Sequence, residues 1–191
     1  MAYLEVSYGK TGIRARLQPG CQMLQNAPAL AAATMAHPAR RSASANIREI
    51  QRTFFVSSRT SQGRFLLQTE RMANLFLDVL RTYVATGRFR LHDFVVMRNH
   101  FHLILTVDGE MSVEKAVQLI KGNFSFRAKK ELGYPWEIWQ RGFSEVRIYD
   151  REGFFYYRRY IDENPVKAGY VKSAEEYPYC SAYFRKKKAS D

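Results

Sequence analysis

Two rhythms of apolar and polar positions divide most of this chain into strands and helices. Residues 53–58 (TFFVSS) are a short apolar run with polar flanks, which predicts a strand. From 71 to 83 the apolar residues Met72, Leu75, Phe76, Val79, Leu80 and Tyr83 fall on one helical face, and Gly87 is placed to stop that helix. Residues 93–107 (DFVVMRNHFHLILTV) predict two strands, 94–97 and 101–107, around the polar break Arg98-Asn99, with Asp108-Gly109 as the next turn. Ser112 is a good N-cap for a helix over 112–130, with Val113, Ala116, Val117, Ile120, Phe124 and Ala128 on one face and Gly133 as its end. Residues 138–143 (IWQRGF) lead into a strand over 145–149. A further helix starts at Asp150 or Glu152 and runs to about Glu163, where Asn164-Pro165 is expected to break it. Residues 166–171 lead into an irregular aromatic segment. Strands and helices that interleave with hairpin-length connections predict an α+β fold, an antiparallel sheet backed by helices.

The ends read differently. Residues 1–46 are rich in Ala, Gly, Pro, Gln and Ser without periodicity, which predicts a disordered basic N-terminal extension. Met35 would serve well as an alternative start, so the first 34 residues are open to being a start-site misassignment. The ordered domain is expected over 47–184, followed by a basic C-terminal tail over 185–191. No run approaches the ~20 apolar residues that span a bilayer, and no signal peptide is visible. Two cysteines far apart, Cys21 and Cys180, suit a reduced intracellular protein.

Charge narrows the partners. Lys and Arg exceed Asp and Glu by enough to give +12 in 191 residues, which favours a polyanion, nucleic acid first and an anionic membrane surface second. Aromatic residues lie among the basic ones, as in Phe124, Phe126, Arg127 and in Tyr156, Tyr157, Arg158, Arg159, and that pairing suits stacked bases and phosphates.

Two clusters carry candidate chemistry. In a strand, His100 and His102 share a face, and two imidazoles held side by side suit a divalent metal; the alternative is one His at a strand end and one capped in the core. In YIDENP, Tyr160 and Asn164 lie four apart on a helix, so a phenol and a carboxamide reach one region. Tyr can act as a covalent nucleophile and an Asn carbonyl can ligate a hard metal; the alternative is a buried Tyr with an Asn-Pro cap.

Four segments in order, FVVMRNHFHLILTV, SVEKAVQLIKGNFSFRAKKELG, IWQRGFSEVRI and YIDENPVKAGYV, resemble the REP-associated tyrosine transposases, within the wider single-tyrosine HUH transposase family of IS200-like proteins. The resemblance covers about 53–183. It departs from the family at Arg98, where Pro usually precedes the Asn-His pair, and in its N-terminal extension. The resemblance implies a ferredoxin-like sheet, the HUH endonuclease fold, with His100 and His102 as metal ligands on a central strand, Asn164 as a third ligand and Tyr160 as nucleophile. The implied activity is that of a single-stranded DNA nickase and strand-transferase. It would be bacterial, cytoplasmic and nucleoid-associated, require Mg²⁺ or Mn²⁺ but no small-molecule cofactor, and act on REP-like hairpins through a 5′-phosphotyrosine link. A monomer is expected rather than a dimer. Lys121, Arg127, Lys129, Lys130, Arg141, Arg158, Arg159 and Lys167 are the candidate DNA contacts, with Tyr177, Tyr179, Tyr183 and the basic tail as candidates for the hairpin. Two other readings stay open: a nucleic-acid-binding module without catalysis, and a metal-dependent nuclease using activated water.

Overall fold

The alternating runs pair into one sheet. In the computed structural model, which describes residues 51–190, the strands are β1 (Arg52–Arg59), β2 (Arg90–Val96), β3 (His100–Val107) and β4 (Ser144–Ile148). All neighbours are antiparallel, in the order β2-β3-β1-β4. Helices α1 (Glu70–Ala85) and α2 (Val113–Leu132) follow β1 and β3, so the chain runs β-α-β-β-α-β, the ferredoxin-like arrangement. Helices α3 (Arg151–Lys167) and α4 (Ser181–Ser190) follow β4. The N-terminal extension read over 1–46 lies outside the described residues.

Side-chain alternation splits the core in two. Phe101, Leu103, Leu105 and Val107 of β3, with Phe54 and Val56 of β1, join the larger core, which also takes Phe76, Leu80, Ile120 and Phe124 from α1 and α2. Full burial of each such side chain is worth about 1.5–3 kcal/mol, so this face anchors the sheet. The opposite face holds a smaller core of Phe55, Val95, Met97, Ile104 and Ile148, covered by Ile161 of α3 and by Cys180 and Ala182.

The helix ends follow from local chemistry. Thr69, Ser112 and Asp150 cap α1, α2 and α3, each accepting a backbone N–H three residues on. Gly133 closes α2 in the left-handed region at φ 66°, where a Cβ would be strained. Two expectations are corrected. The helix over 151–167 does not break at Asn164-Pro165. Pro165 is buried inside its last turns, where losing one backbone donor is tolerated, and Ala168 N–H still donates to the Asn164 carbonyl at 3.0 Å.

The second correction is at the C-terminus, where residues 181–190 form α4 rather than an irregular segment and a basic tail. Its anchor is electrostatic. Asp93, fully buried on β2, accepts from Arg158 Nε (2.9 Å), from Ser181 Oγ (3.1 Å) and from Arg185, which also pairs with Asp162 at 2.6 Å. The segment before α4 and the helix's first residue close the β2 edge: Val96 N–H donates to the Tyr179 carbonyl at 2.9 Å and Phe94 N–H to Ser181 Oγ at 3.2 Å.

Candidate active site

His100 and His102 lie on the smaller-core face of β3, with ring centroids 4.9 Å apart. Their neighbours across the β1 ladder are Arg59 and Ser57. Helix α3 crosses this face. The Tyr160 ring stands edge-on to His102 at 5.2 Å and edge-on to Phe55 at 5.6 Å. Asn164, one turn on, reaches both imidazoles with its carboxamide. The two segments, some sixty residues apart in sequence, therefore meet at one place.

The protonation states suit ligands. Burial pulls the His102 imidazole from the usual 6.5 down to about 3, helped by His100 and Arg59 and opposed by the Asn164 side chain. His100 is lowered for the same reasons, burial first and Arg59 second. Both rings are neutral at physiological pH, with lone pairs free of protons.

Orientation is set by two amides. Asn99 donates through Nδ2 to the Gly63 carbonyl at 3.2 Å, so its Oδ1 is the acceptor facing His100 Nδ1 at 2.7 Å. His100 Nδ1 then carries the proton and Nε2 keeps its lone pair. Asn164 donates through Nδ2 to the Tyr160 carbonyl at 2.8 Å, which leaves its Oδ1 to face the two imidazoles. His102 Nδ1 is buried with no hydrogen-bond partner, an orphaned polar atom that otherwise costs about 1–3 kcal/mol. Two neutral imidazoles, one orphaned nitrogen and a carbonyl oxygen turned toward the rings fit a divalent cation. Among the described residues no three His, Cys, Asp or Glu side chains converge, so the amide is needed to complete a set of three. The turn before the histidines survives Arg98: its carbonyl accepts from Leu67 N–H at 2.9 Å, and its guanidinium stacks 4.2 Å above Tyr170.

The basic candidates divide. Arg158 is held by Asp93. Lys121 donates to the carbonyls of Gln140 (2.9 Å) and Gly142 (2.7 Å) and so clamps the WQRGF loop. Arg127 is paired with Glu131 at 2.6 Å and Lys167 with Glu163 at 2.7 Å. Arg141, Lys129, Lys130 and Arg159 are exposed, with no salt bridge to another described residue. Tyr177 also has a structural duty: its hydroxyl donates to the Val96 carbonyl at 2.9 Å, and burial pushes its pKa up to about 12.

Sequence reasoning missed three residues of the site. Phe55, whose ring stacks on His102 at 5.3 Å, was legible only as core. Asn99 was legible as a polar break, but its carboxamide's role needed the loop at Gly63. Arg59 was legible only once β1 and β3 were in register, which sets it opposite His100 on the same face.

Comparison with known proteins bears on this arrangement. Residues 54–164 match the family described as IS200-like transposases. The chain belongs to that family. The match runs from the β1 Phe54 to Asn164 itself, so it spans both halves of the candidate site. Among solved structures, the IS200-like chain is similar to a REP-associated tyrosine transposase bound to a REP hairpin. That likeness has 25% identity and a TM-score of 0.56, and covers 73% of this chain and 82% of that one. A Deinococcus radiodurans protein assigned as a transposase is 16% identical, with a TM-score of 0.46 over 62% of this chain and 94% of that one, too low to carry an argument. No curated protein matches. Among the described residues no helix is long and apolar enough to cross a membrane.

Proposed function

We propose that this transposase nicks and rejoins single-stranded DNA beside hairpins through a covalent link to Tyr160. The observation that carries the reading is the meeting of Tyr160, His100, His102 and Asn164 on one sheet face. Tyr160 is 39% exposed, so its phenol is accessible from solvent while its ring is held by Phe55 and His102. Hairpin recognition is supported by the REP hairpin in the related complex and by the +12 charge.

The phenol oxygen of Tyr160 attacks the phosphorus. A Tyr–O–P bond forms, the bond to the 3′-oxygen breaks, and the phenolic proton is balanced by the one taken up by the departing 3′-hydroxyl. A Mg²⁺ or Mn²⁺ ion held by His100, His102 and Asn164 would polarise the phosphate and spread its negative charge. Asn99 holds the His100 ring so that Nε2 faces the site, and the Tyr160 carbonyl holds the Asn164 carboxamide with Oδ1 toward the histidines. Arg59, exposed beside His100, supplies fixed positive charge toward the phosphate. The phosphotyrosine keeps the diester bond energy, so a second 3′-hydroxyl can reverse the step without ATP. Such a protein works in the cytoplasm at the nucleoid, as a monomer.

The test is a denaturing gel of the protein with 3′-end-labelled hairpin oligonucleotides and Mn²⁺, beside Tyr160→Phe and His100→Ala. The expected result is a protein-sized adduct that needs metal and is absent from both variants. Cleavage without an adduct, unchanged in Tyr160→Phe, would replace the reading with a water-activating nuclease. Binding without cleavage across many hairpins would leave a non-catalytic binder.

A further inference from the structure

We infer that Tyr156 is a stacking platform for an unpaired base next to the phosphate that Tyr160 attacks, a step that rests on the reading just proposed. Tyr156 and Tyr160 are four residues apart on α3, a rise of about 6 Å on the same side of the helix. Tyr156 is 56% exposed, and its hydroxyl has no hydrogen-bond partner among the described residues. A lone exposed ring would need no explanation, but Tyr156 and Tyr160 leave two exposed aromatic rings on one side of α3.

Its mounting is what separates it from an ordinary surface tyrosine. Tyr156 meets Tyr157 edge-on at 5.2 Å and 87°. Tyr157 in turn stacks on Phe55 at 4.5 Å and 19°, and Phe55 stacks on His102 at 5.3 Å and 20°. Four rings thus run from the candidate metal site to the surface, and the outermost has a free face. A ring held this way loses little rotamer freedom when a base stacks on it. Arg159, exposed and one residue before Tyr160, has no salt bridge to another described residue and is available to the connecting backbone phosphate. Stacking on an aromatic face is open to any base but only when that base is unpaired, so the surface commits to single-stranded DNA rather than duplex.

The probe is fluorescein-labelled dT15, with a 15-base-pair duplex as comparator, read by anisotropy on the full chain. Tyr156→Ala is expected to weaken dT15 binding about tenfold or more, from the usual strength of a base–aromatic stack. Duplex binding should stay within about twofold, and Tyr156→Phe, which keeps the ring, should bind dT15 like the parent. The inference is overturned if Tyr156→Ala binds dT15 normally. It is equally overturned if Tyr156→Phe loses as much as Tyr156→Ala, which would make the hydroxyl the working group, or if the parent does not bind dT15 at all. Adduct formation is scored separately. A parent that binds dT15 through Tyr156 but never forms an adduct would sink the role of Tyr160 and leave the platform standing. Unchanged thermal unfolding of Tyr156→Ala, expected for so exposed a side chain, separates binding from folding.

Discussion

Replacing Asp93 with Ala should cost about 3 kcal/mol of stability and release α4. Asp93 is fully buried and holds three donors, Arg158 Nε at 2.9 Å, Ser181 Oγ at 3.1 Å and the Arg185 guanidinium. Removing one partner of a buried ion pair costs roughly 3–5 kcal/mol, because the opposite charges are left without compensation. Here the two arginine side chains keep 33% and 37% of their exposure, so water recovers part of that loss and the lower end applies. On a domain with about 5–15 kcal/mol of total stability this is a large fraction. The assay is urea unfolding of parent and variant, comparing midpoints at constant slope. Arg185→Met and the double variant complete a cycle, in which the two single losses should sum to clearly more than the double. A loss of 1 kcal/mol or less, the usual value of a surface pair, would refute the claim that charge rather than apolar packing seats α4.

Other outcomes follow from the same geometry. Arg59→Ala should weaken binding of single-stranded DNA and lower the log-affinity against log-salt slope by about one contact, measured by titration at several salt concentrations. Asn99→Ala frees the His100 ring and should weaken Mn²⁺ binding about 10–100-fold by calorimetry, with little change in thermal unfolding. Burial raises the Cys180 thiol from 9.0 to about 12. Its folded form therefore stays protonated where the unfolded chain ionises. Its contribution is complete below pH 9 and is lost between pH 9 and 12, at about 1.4 kcal/mol per pH unit. Cys180→Ala should remove that part of the alkaline slope in urea unfolding.

Periodicity located the elements because burial imposes it. The helices over 70–85 and 113–132 show their apolar faces directly, and the strand pair around Arg98-Asn99 shows its turn. The same logic made α4 illegible. Residues 181–190 are mostly polar, and what seats them is a carboxylate on β2 nearly ninety residues earlier. Pro165 misled for a related reason: its cost to a helix is one missing donor, and the last turn of α3 can carry that. In the candidate site, His-x-His and Tyr-x-x-x-Asn were each visible from their spacing, while Arg59 and Phe55 depended on strand register. Counting basic residues could not show which of them have partners within the fold, as Lys121, Arg127, Arg158 and Lys167 do on carbonyls and carboxylates.

The two faces of the sheet divide stability from chemistry. The face under α1 and α2 carries the larger core and holds β1 and β3 in register. With the strands fixed from behind, the front face can leave His102 Nδ1 unpaired and Tyr160 partly in water, arrangements that a domain relying on that face for its stability would tolerate poorly. The front is closed instead by α3 and by the ionic seat of α4, both attached at the β2 side through Asp93. Since Arg158 on the tyrosine helix shares that carboxylate with Arg185, loosening α4 should also loosen α3 and move Tyr160 relative to His102. Asp93→Ala, below its unfolding midpoint, is therefore expected to lose adduct formation out of proportion to the fraction unfolded. If its activity simply follows the folded fraction, α4 is a brace for stability alone and takes no part in positioning the phenol.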